Sequence, residues 1–317
     1  MVIYHKLYNI MNEIKPLFKY IGGKTWMKNH LRQELEYLFS MSKKDTYVEP
    51  FAGGLGAFFG IYDVLLKNGI KKIILNDINS VLIAFYKQVK DNPEFLINNY
   101  VKLEKDFNNL ISENVKKNHK SLNKDELKEA LKGAEKFYLK VRNDFNEENN
   151  IEEKTYKLLF LQKHCFNGVY RENSKGGYNT PFNWGVNDFK EGEITQRIKE
   201  VQSVFNLFNV EFTNKSYADL DYSNEKIYYL DPPYINEDIL ENKYNKDVFT
   251  SKEQFELIDK IKGVPFIYSN HKNKKLLDKF TELFGDIHIR EIKRKNIISA
   301  SAKSRAEDKV EILITKG

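Results

Sequence analysis

The segment Asp231-Pro232-Pro233-Tyr234 constrains this chain more than any other. It follows Ile227-Tyr228-Tyr229-Leu230, an unbroken apolar run that reads as a buried strand. A central strand cannot continue through two prolines, since each removes a ladder donor and fixes φ. Each proline also pushes the residue before it away from helical geometry. The sequence therefore predicts a stiff loop at a strand's carboxyl end, holding a carboxylate, a fixed backbone carbonyl and an aromatic ring. Two acceptors beside a ring suit a planar base with an exocyclic amino group. The plainer alternative is a strand-ending turn with a solvated aspartate.

A second turn lies upstream. Val48-Glu49-Pro50-Phe51-Ala52-Gly53-Gly54-Leu55-Gly56 runs from strand through glycines into helix. Glycines accept positive φ and let a ligand approach the backbone, and such turns at the carboxyl ends of an open α/β sheet are the usual cofactor site. The next strand ends at Asn76-Asp77, about 20 residues on, where a carboxylate reaches ribose hydroxyls. The dinucleotide fingerprint is not met, because Phe59 stands where its third glycine belongs. The Lys-Ser/Thr ending of a phosphate-cradling loop is missing too. A nucleoside without phosphate fits this turn better; a tight packing turn with a capping aspartate is the alternative.

Around these turns, strands are expected at 46–51, 72–76, 210–213, 227–230, 265–268, 287–290 and 310–314, with a helix over 57–67. Strand, glycine turn, helix and strand make a βαβ unit and hence a parallel sheet. Between them, 101–150 is rich in Lys, Glu and Asn with apolar residues at helical intervals. The expected organisation is an α/β catalytic domain over 1–87 and 194–317, interrupted by a mainly helical module over 88–193.

The 317 residues are 41% hydrophobic and 30% charged, which indicates a globular chain. No apolar run approaches the roughly 20 residues that span a bilayer, and 1–16 lacks the features of a signal peptide. Cys165 is the only cysteine, which excludes an intrachain disulfide and any cysteine-cluster metal site. A reducing, cytoplasmic compartment is the expectation. His5, His30, His119 and His288 have no metal-ligand spacing, so no metal is expected. His164 and His271 lack a nucleophile partner and read as structural hydrogen-bonding groups. A net charge of +6 permits a nucleic-acid partner without requiring one.

Lys15-Pro16-Leu17-Phe18-Lys19-Tyr20-Ile21-Gly22-Gly23-Lys24 precedes both turns. In this order the chain resembles the Dam-type DNA adenine-N6 methyltransferases in their alpha arrangement: that segment, the glycine turn, a recognition domain, then Asp-Pro-Pro-Tyr. The resemblance continues through His164-Cys165-Phe166-Asn167-Gly168-Val169-Tyr170-Arg171 and Gly176 to Phe182, which look like the family's DNA-reading hairpin. It extends to Tyr268-Ser269-Asn270-His271 and a basic loop near the C-terminus, and leaves out roughly 100–151. The implied fold is a Rossmann-like mixed-sheet methyltransferase domain with an inserted, mainly helical target-recognition domain containing a hairpin.

The resemblance implies S-adenosyl-L-methionine as cofactor, double-stranded DNA as partner, and base flipping. A cognate restriction endonuclease would be a genetic rather than a physical partner. Asp231, Pro232 and Tyr234 would be catalytic. Tyr20, Lys24, Phe51, Gly53, Asp77, Tyr217 and Asp231 would hold the cofactor. Lys19 would recognise a guanine before the target adenine, Phe166 would wedge into the gap left by the flipped base, and Asn167 would meet the orphaned thymine. Val169, Arg171 and Pro181 would touch bases after the adenine, within a GAT-containing site such as GATC. Lys303 and Arg305 would contact phosphates. Phe166 replaces a frequent tyrosine, and Gly53-Gly54-Leu55-Gly56 replaces the commoner Gly-x-Gly-Ser. Methylation of RNA or protein, or a DNA-binding module without catalysis, are the competing readings, and the block over 164–182 favours DNA.

Overall fold

The computed structural model describes residues 14–20, 22–187, 189–234, 249–295 and 308–317. Its framework is one seven-stranded sheet. In chain order the strands are β1 (Thr46–Glu49), β2 (Lys72–Asn76), β3 (Asn209–Thr213), β4 (Lys226–Leu230), β5 (Phe266–His271), β6 (His288–Lys295) and β7 (Asp308–Lys316). Their spatial order is β3-β2-β1-β4-β5-β7-β6. The first five run parallel, while β7 lies antiparallel between β5 and β6. Strand order reverses direction between β1 and β4, and at such a switch point neighbouring loops diverge and open a crevice. Both turns singled out in the sequence leave the sheet there.

The central strands are buried along almost their whole length, as parallel strands covered on both faces must be. One face is covered by α1 (Lys28–Met41), α2 (Gly56–Lys67), α3 (Ser80–Asp91) and α9 (Glu191–Phe205), through Leu31, Phe58, Phe85 and Phe205. The other face is covered by α10 (Ser251–Lys260) and α11 (Lys274–Phe284), through Leu257, Ile258, Leu276 and Phe280. After α3 the chain is mainly helical as far as His164: α4 (Pro93–Asn108), α5 (Glu113–Asn118), α6 (Lys124–Ala130), α7 (Lys132–Glu147) and α8 (Ile151–His164). Position 87 falls inside α3, and the buried residues Leu96, Tyr100, Phe107, Tyr138 and Phe160 join those of the sheet face in one continuous core. Among the described residues no helix is long and apolar enough to cross a membrane.

Several strand boundaries need correcting. The first strand stops at Glu49 rather than at 51, because Pro50 has no ladder donor. The last two are longer than their apolar runs: β6 continues to Lys295 and β7 begins at Asp308. They form an antiparallel pair whose outer member, β6, is an edge strand. Charged residues such as Arg290 and Lys293 are tolerated on an edge and hide it from an apolar pattern search.

Candidate active site

The Asp231-Pro232-Pro233-Tyr234 loop leaves β4 beside the end of β1 and holds its carboxylate at both oxygens. Ser269 Oγ, on the neighbouring β5, donates to Asp231 Oδ1 at 2.7 Å, and Lys24 Nζ lies 2.8 Å from Oδ2. The Ser269 proton goes to the acceptor-only carboxylate, so Tyr229 OH, 3.0 Å from Ser269 Oγ, donates in turn to the serine. Lys24 is buried; it also donates to the Gly22 carbonyl at 2.8 Å and sits 4.6 Å from the centre of the Tyr234 ring. The Tyr234 hydroxyl donates to Glu311 Oε2 at 3.1 Å, and its ring meets His271 edge-on at 4.6 Å. Burial, then the charges of Asp231 and Glu311, raise the Tyr234 phenol well above its ordinary range, so it stays neutral. The loop is therefore a fixed carboxylate and a fixed ring facing one cation.

The glycine turn stands beside it and is tied by carboxylate and amide. Asp77 Oδ2 accepts from the Gly53 N–H at 2.8 Å, and Oδ1 accepts from the Asn79 N–H at 2.9 Å. Burial raises the Asp77 carboxyl, and the two backbone donors oppose that shift. Asn76 ties the neighbouring loops together: Nδ2 donates to the carbonyls of Pro50 and Lys215, and Oδ1 accepts from Thr213 Oγ1. Gly53 has φ of +49° and Leu55 φ of +58°. Glycine meets the first demand freely, whereas a leucine in that conformation stores about 1 kcal/mol or more, held here by complete burial. This explains how the chain tolerates Leu55 where the family pattern prefers glycine. Gly54 answers a different demand: a Cβ there would lie 2.5 Å from the Tyr20 Cβ.

Tyr20 covers this turn and links it to the hairpin. Its ring lies 3.3 Å from the place a Gly53 Cβ would occupy and stacks on Tyr170 at 6.4 Å and 28°. Lys19, next to it and exposed, packs along Gly168, whose Cβ would meet its side chain at 3.1 Å. Residues 19, 20 and 24 thus connect the hairpin, the glycine turn and Asp231. Phe51, Tyr217 and Phe249 form an aromatic cluster with ring centres 5.4–5.8 Å apart. Tyr217 is anchored by its hydroxyl to the Glu253 carbonyl at 3.2 Å.

The DNA-reading candidates converge on one hairpin. Phe166, 52% exposed, donates its N–H to the Pro181 carbonyl at 2.9 Å, and Asn167 turns the chain with φ of +59°. Arg171 and Pro181 are exposed and Val169 is half-buried. Only two antiparallel bridges join the arms, Cys165 to Phe182 and Glu172 to Tyr178, because the Asn167-Gly168 turn and Pro181 break the ladder. His164, at the hairpin's base, is a structural group: Nε2 is 2.9 Å from Glu104 Oε1, which also accepts from Tyr100 OH at 2.5 Å. Lys303 and Arg305 lie outside the described residues.

Four groups here escaped sequence reasoning. Ser269 lies in a resembling block that assigns it no role, and Asn76 beside Asp77 reads in the sequence as a strand end. Ile78 follows Asp77 with 65% of its surface exposed, an apolar face at the rim of the turn. Glu49, at the end of β1, is almost wholly buried and accepts from Tyr47 OH at 2.8 Å. Burial pushes its carboxyl up to about 8, with the Asp231 charge adding to the rise and the Tyr47 hydrogen bond opposing it. Between the ordinary carboxylate range and that value, the folded protein holds a proton the unfolded chain releases. The stability from this group is therefore present at low pH and lost as pH rises towards 8. In urea unfolding, the parent is expected to lose roughly 2 kcal/mol more than Glu49→Gln between about pH 5.5 and 8. Parallel slopes for the two proteins would exclude a proton on Glu49.

Comparison with known proteins agrees with this geometry. The model for D12 class N6 adenine-specific DNA methyltransferases matches residues 20–298, from Tyr20 through the β5 and β6 region. The chain is 30% identical over 315 residues to the type II methyltransferase M.MjaIII of Methanocaldococcus jannaschii, spanning 95% of this chain and 99% of that one. It is 26% identical over 317 residues to a type II methyltransferase of Lactococcus lactis subsp. cremoris, with 95% of each covered. It is also 26% identical over 271 residues to the DNA adenine methylase of Escherichia coli K12, with 82% of each covered. A match over most of the chain, joined to a paired aspartate loop and glycine turn at one switch point, places it by both sequence and architecture. The chain belongs to the D12 class of N6 adenine-specific DNA methyltransferases.

Proposed function

We propose that the methyl donor of this DNA adenine methyltransferase is S-adenosylmethionine, held at the Gly53–Gly54 turn, and that Asp231, Pro232 and Tyr234 act on a flipped adenine. The residues of the turn fit that donor. A buried carboxylate at Asp77 suits a ribose diol and disfavours a pyrophosphate, so a nucleoside without phosphate is the matching ligand. Tyr20, Lys24, Phe51, Gly53, Asp77 and Tyr217 would hold it, with Ile78 and the Phe51 cluster offering apolar faces to its base. Bound there, the donor supplies an electrophilic methyl group on a sulfonium.

The chain's own residues supply the rest. Adenine N6 is a weak nucleophile because its lone pair is delocalised into the ring. Hydrogen bonds from its two protons to the Asp231 carboxylate and the Pro232 carbonyl favour tetrahedral nitrogen and stabilise the positive charge that develops there. Tyr234 stacks on the base and fixes its plane, and Lys24 must yield part of its hold on Asp231 as the amino group arrives. The observation carrying this reading is the Asp231 carboxylate, fixed at both oxygens beside the glycine turn.

On the DNA side, Lys19, Phe166, Asn167, Val169, Arg171 and Pro181 would read the site, and Lys303 and Arg305 would meet phosphates. The segment 88–193 would serve as the target-recognition domain, and GATC is the proposed site. Incubating the enzyme with tritiated S-adenosylmethionine and a random duplex library, then mapping methylated adenines, tests both donor and site. Enrichment of GATC is the expected result, and another motif would overturn the site assignment. Arg171→Ala is expected to relax base choice after the adenine; an unchanged ranking of substituted duplexes would remove Arg171 from recognition.

A further inference from the structure

Helix α7 belongs to the stretch that carries no family motif, yet it meets the hairpin with a row of polar side chains. Tyr138, Arg142 and Asn146 recur every four residues, so they share one face of the helix. All three bond to the backbone of the hairpin's second arm. The buried Tyr138 hydroxyl donates to the Thr180 carbonyl at 2.9 Å, and Arg142 Nη1 donates to the same oxygen at 3.3 Å. Asn146 engages Tyr178 twice: Nδ2 donates to its carbonyl at 3.0 Å, and Oδ1 accepts its N–H at 2.8 Å. A neighbouring β-strand would offer the same pair of bonds. The arm needs them, because its partner arm meets it through two isolated bridges rather than a continuous ladder, with side-chain bonds such as Thr180 Oγ1 to the Val169 carbonyl at 2.7 Å.

What α7 holds, in turn, holds Arg171. Arg171 Nε donates to Asn179 Oδ1 at 2.7 Å, and one Nη donates to the Asn179 carbonyl at 3.2 Å. Asn179 lies between the two residues that α7 grips. We infer that α7 splints the reading hairpin in register, and that Tyr138 and Asn146 are positioning residues for site discrimination rather than for methyl transfer. This rests on the reading role proposed above for the hairpin. An arginine discriminates bases by two-point contact, which requires placement within about 0.5 Å. An arm free to slide admits wrong bases while leaving the Asp231 loop and the glycine turn untouched.

The test uses the full chain as Tyr138→Phe, Asn146→Ala and the double variant, with Arg171→Ala as a control. Each is assayed on the preferred duplex and on duplexes substituted singly after the adenine. Loss of one or two backbone hydrogen bonds is expected to lower the discrimination ratio roughly five- to tenfold. kcat on the preferred duplex and S-adenosylmethionine affinity are expected to stay at parent values. A splint with a merely structural role would lower the melting temperature and depress all duplexes in proportion, leaving the ratio unchanged, and that result overturns the inference. Should Tyr138→Phe fold poorly, Asn146→Ala carries the test, because Asn146 lies in the last, exposed turn of α7. If Arg171→Ala also leaves the ratio unchanged, Arg171 is no reader and the premise on which the splint rests fails. If Arg171→Ala moves the ratio and the α7 variants do not, the splint alone fails.

Discussion

Asp231→Asn is expected to slow methyl transfer by about 100- to 1000-fold while duplex DNA binding stays intact. The amide keeps the shape of the carboxylate but loses its charge, and it turns one of two acceptor positions into a donor. In the parent, Oδ1 is engaged by Ser269 and Oδ2 by Lys24, so the variant keeps Lys24 on its amide oxygen only by turning its N–H to Ser269, whose hydroxyl must then accept rather than donate. The adenine amino group then meets no carboxylate as positive charge develops on it. Single-turnover methylation with enzyme in excess isolates this step from product release, and gel-shift binding to the unmethylated duplex checks the fold. A rate within tenfold of the parent would remove Asp231 from the chemistry.

Lys24→Met is expected to destabilise the protein by about 3 kcal/mol, and Asp231→Asn in the same chain to restore most of that loss. Lys24 and Asp231 have side-chain exposures of 5% and 16% and approach to 2.8 Å. Removing one partner of a buried pair leaves the other uncompensated, whereas removing both charges takes the desolvation penalty away with them. Urea unfolding of the parent, the two single variants and the double variant closes the cycle. Additive losses would mean that the pair is not coupled, and that Lys24 is held by Gly22 and Tyr234 alone.

Both effects meet in one place because two distant segments do. The proline loop and the glycine turn were legible because their constraints are local. Two prolines stop a strand wherever they occur, and glycines mark a turn before the chain has folded. The apolar rhythm of β2 and β4 located those strands within a residue, since burial on both faces leaves a continuous run. The β6 and β7 pair was cut short for the opposite reason, since Glu291, Lys293, Asp308 and Lys309 interrupt its apolar pattern in the sequence.

Where the chain turns, which carboxylates stand at strand ends and, through the order of its motifs, the family it resembles are all written in the linear order of residues. What those groups do to one another arises on folding. Lys24 and Asp231 are brought together by the β1 and β4 switch point, and Ser269 reaches Asp231 because β5 pairs beside β4. Glu49 acquires its proton from desolvation, which exists only once strands and helices have closed around it. The α7 row found its partner because the hairpin docks on that face, across a gap in sequence that no local pattern spans. Torsional constraints act within a few residues and can be read from the order of the chain. Desolvation and pairing depend on three-dimensional neighbours and cannot.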